Sequence, residues 1–177
     1  MSSTPTMDAQ RRRRRLTTTV KDSLRDLRVQ LALLNHRVGA NLELRDVDLD
    51  CLDLLGRHGP LSPSALARLA GLHPATMTGI LDRLERGGWV ARDRDPADRR
   101  GVTVRALRTR AGEVFGQYAG MNASLDEICA GYDEDQLELL AEFLRRATAA
   151  GRHATEELGY PASPPGRSRV SDADQNR

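Results

Sequence analysis

Proline is the residue a helix interior tolerates least, and the eight prolines of this 177-residue chain are confined to three places. Pro5 stands near the start. Pro60, Pro63, Pro74 and Pro96 occupy the middle, and Pro161, Pro164 and Pro165 lie near the end. Two long proline-free stretches, 6–59 and 97–160, are therefore open to long helices. The first carries Val20, Leu24, Leu27, Leu31, Leu34 and Val38 at spacings of 4, 3, 4, 3 and 4, a heptad seam on one helix. The second repeats the rhythm with Val114, Tyr118, Met121, Leu125, Ile128 and Tyr132, then carries a shorter stripe, Leu137, Leu140, Leu144 and Ala147, that Asp133 is placed to cap. These stripes can be buried against one another or on a second copy of the chain. Aromatics make only 3% of the residues, and the 25 leucines supply the apolar surface instead. A protomer this size with so few large rings gains from a shared core, so a homodimer is expected.

Several classes are set aside. The length suits one domain with extensions. No apolar run approaches the roughly 20 residues needed to cross a bilayer, and no apolar segment follows the basic N-terminus as a secretory signal requires, so a cytoplasmic protein without membrane contact is expected. Two cysteines, Cys51 and Cys129, make no disulfide framework. Both read as structural thiols, with a redox switch as the alternative. His36, His58, His73 and His153 pair with no Cys or His at metal-ligand spacing, and neither a nucleotide-binding glycine loop nor a nucleophile elbow is present. No metal, no cofactor and no enzymatic activity are expected.

The net charge of +2 hides a separation. Arg11 to Arg15 carry +5, and the segment 86–110 carries another +5, which leaves −8 for the rest. Local basic patches on an otherwise acidic chain suit a polyanion partner.

The middle section is more broken. Asp46 reads as the N-cap of a helix reaching His58, ended by Gly59-Pro60. Ser62-Pro63 starts a short helix that stops at Gly71, and His73-Pro74 starts another that runs to Arg86 and closes at Gly87-Gly88. A strand over 89–92 and a second over 102–106 enclose a basic tip, Arg94-Asp95-Pro96-Ala97-Asp98-Arg99-Arg100. Two short helices joined by a Gly-containing turn, then a hairpin, form a winged helix-turn-helix layout. On the second helix Met77, Ile80, Leu81 and Leu84 share the face to be buried. Ala75, Gly79, Asp82 and Arg86 lie opposite, flanked by Thr76, Thr78 and Arg83. A small outward face lets a helix backbone enter the major groove, where Thr hydroxyls reach base edges or phosphates. The basic tip suits the adjacent minor groove, with Asp98 bracing an arginine.

The run GPLSPSALARLAGLHPATMTGILDRLERGGWVARDRDPADRRG resembles the MarR (multiple antibiotic resistance regulator) family of bacterial transcription factors, most specifically in LDRLERGGWV and RDRDPADRR. The resemblance spans roughly 20–150. It implies a mainly α fold: a winged helix-turn-helix with a small β-hairpin wing, and N- and C-terminal helices forming a dimerisation region. It also implies a homodimer on a pseudo-palindromic DNA operator, usually as a repressor relieved by a small phenolic or aromatic effector. Transferred residue by residue, DNA contacts fall on Ser62, His73, Thr76, Thr78, Gly79, Arg83, Arg94, Arg99 and Arg100, with Asp98 bracing the wing. His73 stands where members usually place Ser or Thr, and Gly79 where many have Arg. Asn35, His36 and Arg37, near the end of the first seam, are the polar candidates for contacting an effector. The expected organisation is a disordered basic arm over 1–15, helical dimerisation segments over 16–44 and 110–151, the DNA-binding domain over 45–109, and a disordered tail over 159–177. A winged-helix protein-interaction module and an effector-free architectural DNA binder are the competing readings.

Overall fold

The computed structural model of the chain describes residues 7–94 and 101–158. Six helices and one hairpin follow in the order α1 (Met7–Leu42), α2 (Asp46–His58), α3 (Pro63–Leu69), α4 (Pro74–Arg86), β1 (Val90–Arg94), β2 (Val102–Ala106), α5 (Arg108–Cys129) and α6 (Glu134–Leu158). The mainly α winged helix-turn-helix expected from the sequence is the fold observed.

Helix starts follow side-chain chemistry. Ser62 caps α3, its Oγ accepting the Ala65 N–H at 3.2 Å with Pro63 in the first turn. Asp133 and Gln136 form a reciprocal capping box at the start of α6, with bonds of 2.9 and 3.1 Å. The start of α2 departs from expectation. Asp46 is its first helical residue, not its cap, and the Asp48 carboxylate accepts the Arg45 N–H at 3.0 Å. Gly71, at φ 65°, supplies the left-handed turn between α3 and α4.

A second departure concerns the N-terminus. Residues 7–15, expected within a disordered arm, form the opening turns of α1. Arginine is among the better helix formers, Asp8 sits at the positive end of the helix, and no proline or glycine interrupts before Gly39. At 36 residues α1 is about 54 Å long, so Arg13 stands about 37 Å along the axis from Val38, where α1 enters the core. The two basic patches therefore occupy distant parts of the molecule. Helix α6 likewise runs on to Leu158, beyond the expected end at 151. Residues 1–6, the wing tip 95–100 and the expected tail 159–177 lie outside the described residues.

Among the described residues one core forms, and it lies among α2, α3, α4 and the hairpin. Met77, Ile80, Leu81 and Leu84 of α4 are all buried, as their spacing predicts, against Leu49, Cys51, Leu52 and Leu55 of α2 and Leu66 and Ala67 of α3. Trp89, Val90 and Val104 close it from the hairpin. β1 and β2 pair antiparallel with Val90 opposite Ala106, and Leu61 adds a bridge to Val104 with bonds of 3.0 and 2.7 Å. That bridge ties the segment before α3 to the wing. By contrast α5 and α6 bury no residue, and Leu27, Leu31, Leu125, Ile128, Leu140 and Leu144 of the three stripes are exposed. The stripes do not bury one another within a single chain.

Candidate nucleic-acid interface

The exposed face of α4 is short and small. Thr76, Thr78 and Gly79 all lie at the surface beside the helix N-terminus, where backbone N–H groups and the helix dipole favour an anion. His73 caps that end in place of a hydroxyl residue, its Nδ1 accepting the Ala75 N–H at 3.3 Å. The Thr78 hydroxyl donates to the Pro74 carbonyl at 3.2 Å. A Cβ placed on Gly79 meets nothing within 4 Å, so nothing inside the chain requires glycine there. Ser62, half-buried at the start of α3, hydrogen-bonds Ser64 through its hydroxyl at 3.1 Å as well as capping.

Arg83 departs from its expected place on the DNA face. Its Nε and Nη2 donate to the two oxygens of Asp48 at 3.0 and 2.5 Å, and the Asp48 side chain is fully buried. These hydrogen bonds push the guanidinium's pKa further up. Arg83 thus anchors α4 to α2. Helical position predicted a flank between the buried and outward faces, and a buried carboxylate on α2 decided which way the side chain turned.

The wing is fixed to the same helix. Arg92 of β1 donates to Asp82 and Glu85 of α4, both at 2.6 Å. Those bonds, the Asp82 bond first, raise the Arg92 pKa. The bridge offsets one of the two carboxylate charges beside the exposed face of α4. Across the hairpin Arg105 binds Asp93 at 2.6 Å. Arg94 is exposed at the end of β1, while Asp98, Arg99 and Arg100 lie outside the described residues. Behind the wing, Arg110 stacks over Trp89 at 3.7 Å and donates to the Gly87 carbonyl at 2.5 Å. Gly87 must be glycine for space, because a Cβ would lie 2.7 Å from the Trp89 ring. Gly88, at φ 69°, is the left-handed partner in that turn.

A cavity of about 790 Å³ opens between α1, α2 and α5, floored by Trp89 and the end of β2. Of the three residues proposed from sequence for an effector, Asn35 lines it and accepts the Tyr118 hydroxyl at 2.5 Å. His36 and Arg37 do not line it. The His36 ring lies 3.5 Å from Asp46, largely in solvent.

The MarR family model matches residues 44–102, from the start of the helix-turn-helix region to the first residue of the wing's return strand. An uncharacterized HTH-type transcriptional regulator of Bacillus subtilis, YcgE, is 30% identical over 152 residues, covering 86% of this chain and 99% of that protein. The chain belongs to the MarR family. A second B. subtilis regulator, YfiV, is 38% identical over 74 residues, 42% of this chain and 46% of its own. Among solved structures, a MarR family protein from Bacillus stearothermophilus superposes with a TM-score of 0.61 at 21% identity, covering 77% of this chain and 96% of that one. Apo MarR from E. coli gives 0.53 at 20% identity, covering 72% and 95%.

In this MarR-family chain the residues that sequence reasoning missed are the braces: Asp48, Arg92 and Arg110. Each has a partner distant in sequence, up to 35 positions for Asp48 and Arg83, and Arg110 pairs in addition with Glu113 one turn along α5. Only the acidic residue three places into α2, at a position flanked by apolar neighbours, hinted at burial. Among the described residues no group of three or more His, Cys, Asp and Glu could hold a metal ion, and no helix is long and apolar enough to cross a membrane.

Proposed function

We propose that this MarR-family, DNA-binding transcriptional regulator works as a homodimeric repressor on a pseudo-palindromic operator, and that a small aromatic effector releases it. The observation that carries the reading is the face of α4, with Thr76, Thr78 and Gly79 exposed beside the His73-capped helix N-terminus and the helix held from behind by Arg83 and from the side by Arg92. Thr76 and Thr78 read base edges and phosphates, Gly79 lets the backbone approach, and Arg94, Arg99 and Arg100 occupy the minor groove with Asp98 bracing them. Ser62 and His73 sit where capped helix ends meet phosphates. Arg83 acts through α4 as a positioning residue.

Support for the dimer comes from the stripes that the single chain leaves uncovered. Leu16, Val20 and Leu24 of α1 face an apolar groove shared with Phe143 of α6, and Ile128 stands exposed at the end of α5. A second copy burying these surfaces would make the dimer, and half-sites about one helical turn of DNA apart are the operator spacing expected for it. The protein would then work in the cytoplasm, on the nucleoid.

Band-shift titrations with the promoter beside the protein's own gene test this, with light scattering for oligomeric state. The expected result is a dimer that binds this duplex well above random DNA, with affinity falling steeply as salt rises. Equal affinity for random duplex would leave only an architectural DNA binder. Failure to bind any duplex would leave the protein-interaction module.

A further inference from the structure

The cavity between α1, α2 and α5 carries its charge on one wall. Asp46, Asp50 and Asp53 recur at spacings of 4 and 3, which sets them on one face of α2, and all three line the cavity. The facing walls are apolar and aromatic, with Leu31 from α1, Val114, Phe115 and Tyr118 from α5, and Trp89 beneath. Few counter-charges are present. Arg57 takes Asp53 at 2.9 Å, and the exposed His36 ring lies 3.5 Å from Asp46. Among the described residues no ion pair engages Asp50.

The field of that wall reaches across the cavity. Burial first, then Asp46 and Asp53, raise the Asp50 pKa. On the opposite wall the Tyr118 phenol is also pushed up, by burial first and then by Asp50, Asp53 and Asp46. An anion entering this space meets repulsion from three carboxylates; they are exposed to solvent, so the effect is moderate and shrinks with salt. A flat cation meets the reverse, with carboxylates to pair and ring faces to cover it.

We infer that the cavity selects small aromatic cations and rejects anions of the same shape. The inference deepens the effector reading above and depends on it only for the consequence of binding. Affinity for the cavity and release of DNA are separate measurements.

Trp89 is the chain's one tryptophan and lies in the cavity wall, so its fluorescence reports occupancy. The probes are benzamidinium and benzoate, flat single rings nearly identical in shape and opposite in charge. The full-length protein should bind the cation about tenfold more tightly than the anion at moderate salt. Asp50→Asn should weaken the cation severalfold and leave the anion unchanged or improved, with circular dichroism confirming the fold. Asp53→Asn, which also frees Arg57, should act in the same direction. Equal or tighter binding of the anion overturns the inference, as does binding of neither probe or an Asp50→Asn variant that holds the cation unchanged. If the cation binds selectively while the operator stays bound, the ligand class stands and the effector reading falls. If only other, uncharged or anionic aromatics bind and release DNA, the effector reading stands and this inference falls.

Discussion

Arg83 of α4 holds Asp48 of α2 through two hydrogen bonds, 3.0 and 2.5 Å long, and the carboxylate it holds is sealed from solvent. The same Asp48 accepts the Arg45 N–H and so closes the first turn of α2. One buried side chain therefore joins the cap of one helix to the orientation of the next. Arg83→Ala strands that carboxylate. The expected loss is about 3 kcal/mol, the low end for a broken buried pair because the arginine side chain is 30% exposed. Denaturant unfolding checks it, and a Thr76→Ala, Thr78→Ala double variant should lose operator affinity with a midpoint no lower than that of the parent.

Gly79 separates stability from binding. A Cβ there has open space, and alanine is favoured over glycine in a helix interior by about 1 kcal/mol. Gly79→Ala should unfold at a higher temperature and yet bind the operator more weakly, because the added methyl faces the groove. A variant that gains stability with affinity unchanged would show that the helix backbone does not approach DNA closely at this position.

Arg92 masks two carboxylates of α4. With alanine in its place Asp82 and Glu85 face the phosphates uncompensated. Operator affinity is expected to fall on the order of tenfold at low salt, with the deficit shrinking as salt rises. Both carboxylates are substantially exposed and stay hydrated without their partner, so thermal stability should change little.

Cys51 is fully buried, and burial first, then Asp48 and Asp50, pushes its thiol up to about 11. At neutral pH it should resist alkylation in the folded protein and react once the chain is unfolded, as peptide mass mapping would show. Modification of native Cys51 at rates typical of free thiols would reopen a redox role. Cys129, exposed at the end of α5, is the thiol open to reagent in one chain.

Asp50 carries a raised pKa, so the folded state favours its neutral form. Above the folded value the charge is present in both states and its cost in the folded protein is complete. Below the unfolded value of about 3.8 both states are protonated and the cost vanishes. Asp50→Asn should therefore raise the melting temperature at pH 7 and leave it unchanged at pH 3.

The periodicities of the chain were enough to place the helices and to name the buried face of α4, because apolar spacing and capping chemistry act over a few residues. Ser62, Pro63, Gly71 and the Met77, Ile80, Leu81, Leu84 set all behave as local rules require. The family, too, was legible in the run from Gly59 to Gly101. What local rules could not decide was where the charges go. Arg83 turns to Asp48, Arg92 to Asp82 and Glu85, and Arg110 to Trp89 and the Gly87 carbonyl, because the fold delivers those partners. The arginine run of 11–15 joined a helix instead of a loose arm, since helix propensity and an unbroken backbone outweighed its charge. The acidic wall of the cavity likewise exists only once α1 and α5 stand opposite α2. Spacing along a chain sets which residues share a face, but a side chain's electrostatic partner is a matter of three-dimensional distance, and that is decided when the helices pack.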